Sequence, residues 1–80
     1  MPAEDDRPDD ETVVDAAATA AENVIFSRYD QTEVRDLDVM VSFEDDQLEV
    51  DVYLDAPEDA EQVADDAVLA ARRAVDDLLA

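Results

Sequence analysis

Residues 37–54 read LDVMVSFEDDQLEVDVYL. Leu37, Val39, Val41 and Phe43 alternate with Asp38, Met40 and Ser42, and Leu48, Val50, Val52 and Leu54 alternate with Glu49, Asp51 and Tyr53. A period of two sends successive side chains to opposite faces of an extended chain, so each run predicts a half-buried strand. A turn over Glu44, Asp45, Asp46 and Gln47 pairs Phe43 with Leu48, Val41 with Val50, Val39 with Val52 and Leu37 with Leu54. All eight apolar side chains then share one face, and a slip of one residue would turn half of them into water. Aspartate tolerates the positive φ of a tight hairpin turn better than most residues, although less well than glycine.

On the N-terminal side, Glu11 to about Arg28 predicts a helix with Asp9 or Asp10 as N-cap. At 100° per residue Val14, Ala17, Ala18, Ala21, Val24, Ile25 and Arg28 fall on one face, flanked by Val13 and Ala20. Tyr29–Asp36 reads as a connection. Beyond the hairpin, the stretch Asp55-Ala56-Pro57-Glu58 predicts the start of a second helix, with Pro57 at the first helical position. Ala60, Val63, Ala64, Ala67, Val68, Ala70, Ala71, Ala74, Val75 and Leu78 give that helix a wide apolar face. Its polar face carries Asp65, Asp66, Arg72, Arg73, Asp76 and Asp77, with the two arginines expected to pair with Asp76 and Asp77.

The order is α-β-β-α. Both helices across the apolar face of the hairpin make a two-layer α+β domain over residues 11–80. Residues 1–10, MPAEDDRPDD, read as a disordered acidic tail. A two-stranded sheet leaves both edges open, so dimerisation is expected to complete it.

The acidic set is 17 Asp and 8 Glu against five Arg, a net charge of −20. Carboxylates at this density repel one another across much of the molecule when the Debye length is about 10 Å, at 0.1 M salt, and hardly at all when it is about 3 Å, at 1 M. Hydrated surface Asp, no lysine and a core of small apolar residues fit a halophilic cytoplasm. Residues 1–10 have neither the basic nor the apolar segment of a targeting signal, and no run approaches a membrane span, so a cytoplasmic protein without membrane contact is expected.

Several chemistries lack their residues. There is no cysteine, histidine or glycine. Disulfides, thiol chemistry, the usual zinc, haem and iron–sulfur ligation, P-loops and dinucleotide-binding turns are thereby excluded. Nearly every carboxylate falls on a polar face or in a loop, away from the dry cleft that acid–base catalysis requires. Glu44, Asp45 and Asp46 form an anionic turn without the ligand spacing of a calcium loop, a place for loosely held cations. Five arginines among 25 acids make a poor footprint for nucleic acid, apart from a local patch at Arg28 and Arg35. The expectation is a non-enzyme with no cofactor, no resident metal and no catalytic residue. Interface candidates remain. Phe26 and Leu69 are large apolar residues on polar helix faces, Met40 and Tyr53 project from the outer face of the hairpin, and Tyr29 follows the first helix.

The stretches Val24–Tyr29 (VIFSRY), Val34–Val39 (VRDLDV), Val41–Pro57 (VSFEDDQLEVDVYLDAP) and Gln62–Arg72 (QVADDAVLAAR) resemble a small archaeal family of uncharacterised proteins in its haloarchaeal form, over about residues 12–79. That resemblance implies a gene neighbourhood shared with a prefoldin β subunit and with the small dimerising subunit of KEOPS, the complex that makes the threonylcarbamoyl modification of tRNA adenosine. The element order also resembles that small subunit, which has a β-α-β-β-α fold and no catalytic residues. Here residues 1–10 depart from its first strand, leaving one sheet edge uncovered. The implied function is a non-catalytic interaction module, self-pairing or joined to a protein partner, with KEOPS subunits among the partners. The alternatives are a small RNA-binding α/β module or a stand-alone acidic protein.

Folding is expected to depend on salt. Circular dichroism of the isolated chain should gain helical and sheet signal between salt-free buffer and molar potassium chloride. A fully folded spectrum in salt-free buffer would overturn the halophilic reading.

Overall fold

The computed structural model describes residues 9–80. Helix α1 (Asp10–Arg28) leads through a short 3₁₀ turn (Gln31–Glu33) to strand β1 (Asp36–Glu44), strand β2 (Gln47–Asp55) and helix α2 (Ala60–Leu79). This is the expected α+β architecture, a two-stranded antiparallel hairpin against two helices. The tail expected over residues 1–10 lies, as far as residue 8, outside the described residues, and Asp10 already belongs to α1.

Register follows the apolar pattern. Phe43 opposes Leu48, Val41 opposes Val50, Val39 opposes Val52 and Leu37 opposes Leu54. The backbone N–H of Arg35 donates to the carbonyl of Asp55 at 2.8 Å and fastens the open end of the ladder. At the other end Asp45 and Asp46 have φ of 52° and 64°, the doubly left-handed backbone of a type I′ turn. Its twist matches that of the strands. The carbonyl–Cβ crowding there costs an L-residue about 1–2 kcal/mol. Aspartate, whose short polar side chain tolerates this region, meets only part of that cost at the two positions where a chain without glycine must use it.

Helix α1 opens with Asp9 as N-cap and with Asp10 and Glu11 in the first turn, where the helix dipole favours negative charge. Its buried line is Val13, Ala17, Ala21 and Ile25, each 0% exposed. Sequence periodicity centred the face nearer Val14 and set Val13 at its flank. The deepest line is rotated because α1 packs against both β1 and α2, and the corner between them takes the most buried residues. Arg28, expected on the apolar face, is exposed, and its guanidinium reaches Asp66 on α2.

Helix α2 begins at Ala60, three residues later than the Pro57 start read from the sequence. Ala56–Asp59 instead carry the chain out of the sheet, ending on Asp59 in the left-handed region at φ 58° and ψ 29°. Val63 N–H donates to the Asp59 carbonyl at 2.9 Å, the first backbone bond of the helix. The buried line of α2 repeats the spacing of α1, with Val63, Ala67, Ala71 and Val75. The end of α1 touches the start of α2, through Arg28 to Asp66 and Tyr29 to Glu58, so the helices run antiparallel with alanines along the middle of each buried line.

On the sheet, Phe43, Val50 and Leu54 are buried, while Leu37, Val39, Val41, Leu48 and Val52 are half-buried against the helices. Tyr29 plugs the end of the core near the strand termini. The residue is 9% exposed, and its hydroxyl donates to the backbone carbonyl of Glu58. This contact ties the crossover into α2 to the end of α1, and the left-handed Asp59 beside it marks where the helix begins. Burial pushes the Tyr29 hydroxyl above its usual 10.0, helped by the carboxylates of Asp59, Glu58 and Glu33 and opposed by Arg28.

Two outcomes follow from these contacts. Replacing Asp45→Asn with Asp46→Gly supplies residues suited to the left-handed backbone, and should raise stability by about 0.5–1 kcal/mol in denaturant titration at constant salt. The Tyr29 proton is bound more tightly in the folded state than in the unfolded one. Its contribution is therefore complete below the unfolded pKa near 10 and is lost as pH rises through the higher folded value. Tyr29→Phe should be less stable than the parent at neutral pH and should lack this alkaline loss, as followed by circular dichroism.

Candidate interaction surfaces

The described residues bury no polar or charged side chain, and no trio of acidic side chains among them converges as a metal site. Glu44, Asp45 and Asp46 are all exposed at the hairpin tip.

Three of the five candidate residues stand well clear of the fold: Met40 at 61% exposure, Tyr53 at 58% and Leu69 at 64%. Phe26, on α1, is 41% exposed. Tyr29 differs from these four. It belongs to the core of its own chain, and its hydroxyl is already engaged, so it corrects the expectation of a surface contact there. An aromatic at a helix end reads the same in sequence whether it turns in or out.

Met40 and Tyr53 are brought together. Met40 opposes Asp51 and Tyr53 opposes Asp38, so the two apolar side chains are diagonal neighbours on the outer face of the hairpin. Beside them Met40, Val41, Ser42, Glu49 and Asp51 border a hollow of about 110 Å³. The sheet contains β1 and β2 alone among the described residues, so one edge of each strand has no strand neighbour.

Leu69 is separate from that pair. It stands on the side of α2 opposite the buried line, at 100° per residue. Two hollows flank it. One, of about 520 Å³, is lined by Asp66, Leu69, Ala70, Arg72, Arg73 and Asp76. The other, of about 430 Å³, is lined by Asp65, Val68, Leu69 and Arg72. The pairing expected between Arg72, Arg73 and the acids Asp76, Asp77 is not formed within 4.0 Å among the described residues. Arginine preceding its acid by four residues is the weaker orientation on a helix.

Arg28 and Asp66 form an ion pair at 3.1 Å that the sequence did not predict. Gln62 Nε2 donates to the other oxygen of the Asp66 carboxylate at 3.3 Å. The pair is 38 residues apart in sequence and leaves no local signal. It also engages one of the two arginines of the local basic patch. At half exposure such a pair contributes about 0–1 kcal/mol, and less in concentrated salt. No described helix is long and apolar enough to cross a membrane.

An uncharacterised protein of the haloarchaeon Natronomonas pharaonis is 52% identical over 81 residues, with 98% of each chain covered. No solved structure matches the chain. Residues 8–78, nearly the whole folded region, match a family described as proteins of unknown function and designated DUF3194. The chain belongs to that family.

Proposed function

We propose that this protein is a non-catalytic, halophilic interaction module of the cytoplasm, and that its working surface is the hairpin. The observation that carries this reading is the two-stranded sheet with one unpaired edge on each strand and Met40 beside Tyr53 on its outer face. Unpaired strand edges offer rows of N–H and C=O groups to another strand, and an exposed apolar pair gives an added strand something to cover. Acidic neighbours such as Asp38, Glu49 and Asp51 favour a partner with complementary positive charge.

In its specific form, the module is an accessory or regulatory subunit of the KEOPS tRNA-modifying machinery. The α-β-β-α order of the described residues supports this, matching the last four elements of the β-α-β-β-α order of the small dimerising KEOPS subunit. A direct RNA-binding role draws less support, because Arg28 already faces Asp66 and Asp36 directly follows Arg35.

Affinity capture of the tagged chain from a haloarchaeal lysate in molar potassium chloride tests the reading. Recovery of KEOPS subunits is expected, with clear loss when Met40→Asp and Tyr53→Asp are combined. Capture without any KEOPS subunit would remove the specific form. Capture undiminished by the double variant would move the working surface away from the hairpin.

A further inference from the structure

The outer face of α2 carries both signs of charge in a set order around one apolar residue. On a helix, Asp65 and Arg72 lie on one side of Leu69, and Asp66 and Arg73 lie on the other. Each acid is seven residues from the base on its own side. Seven residues rise about 10 Å along the axis, too far for an ion pair to close within one helix. Turning a copy of this helix end for end about Leu69 places each acid against a base.

We propose that this face pairs with α2 of a second copy, antiparallel across a twofold axis at Leu69. Leu69 then meets its counterpart, Arg72 faces the second copy's Asp65, and Arg73 faces the second copy's Asp66. The operation gives four oppositely charged pairings around an apolar centre, the self-complementarity required of a twofold interface. The two hollows beside Leu69 leave room for the incoming side chains. Asp66 already takes Arg28 and Gln62 on separate oxygens, and its carboxylate retains capacity for a further donor. Among the described residues Arg72 and Arg73 are committed to no acid of their own chain.

The charge pattern also selects the occupant. A chain of net charge −20 meets another copy of itself with strong long-range repulsion in dilute salt. At 1 M salt the Debye length is about 3 Å, which removes most of that repulsion; the four exposed ion pairs weaken as well, and they fix the register of the two helices while the Leu69 contact persists. The pairing is therefore a property of concentrated salt. It uses the side of α2 turned away from the sheet and is independent of the hairpin surface.

Sedimentation equilibrium of the full chain in molar potassium chloride tests it. The parent chain should self-associate. Arg72→Asp and Asp65→Arg should each raise the dissociation constant at least about tenfold, because each puts like charges face to face twice. An equimolar mixture of these two variants should recover the parent's association, since one offers acids and the other bases at both positions. Both sites are solvent-exposed, and neither change disturbs the Arg28–Asp66 pair. Leu69→Ser should weaken association without altering any charge. A parent chain that stays monomeric at its highest soluble concentration would overturn the proposal. So would a mixture that associates no better than its components, or single variants that associate as the parent does.

Discussion

Ala17 and Ala21 on one helix, with Ala67 and Ala71 on the other, lie fully buried along the middle of the two helical lines. Small side chains let two helix backbones approach toward the short end of the usual 8–10 Å separation. Close approach brings backbone atoms into dispersion contact, with many weak attractions added together. It also makes the pair narrow enough to sit over a sheet only two strands wide. The valines and Ile25 at the ends of each line then fill the wider corners. Each alanine removes little apolar surface from water at about 25 cal/mol per Å², so most of the burial comes from the larger side chains around them, among them Ile25, Tyr29, Phe43 and Leu54.

A core built this way competes with the charge around it. The net charge of −20 is spread over a surface that buries no polar or charged side chain among the described residues. Only one of the arginines answers an acid through an ion pair within 4.0 Å there. Screening by concentrated salt therefore acts directly on the compact state, in the same direction as the strengthening of apolar contacts by excluded salts. The exposed strand edges belong to the same balance. Asp, Glu and Ser on the outer face of the hairpin discourage indiscriminate strand pairing, while Met40 and Tyr53 leave one place where pairing can gain apolar burial.

Much of the fold was legible in the residues. The hairpin and its register followed from one constraint, that Leu37 through Leu54 put all their apolar side chains on one side. The existence of both helices followed from period 3.6. Their details did not. The rotation of α1 toward Val13 depends on having two neighbours, which no single-helix pattern encodes. The start of α2 falls at Ala60, after the left-handed Asp59 and a Glu58 carbonyl that accepts from the distant Tyr29, and not at Pro57 as the local pattern suggested. The exposure of Met40, Tyr53 and Leu69 was readable because each broke a polar face, whereas the inward turn of Tyr29 was a tertiary fact. The Arg28–Asp66 pair had no sequence signature at all.

Every pairing in this molecule nests inside the next. The Asp45–Asp46 turn lies at the centre, the strand ladder closes around it, and α1 packs with α2 at the outside. Closing the short central loop costs less chain entropy than closing the longer ones around it. Assembly can run like a zipper from the hairpin tip, each completed rung shortening the next closure. The helix–helix seam is the final clasp, formed by α1 and α2, the outermost of the described elements. Removing either terminal helix would unclasp the other and leave the greasy side of the ribbon bare.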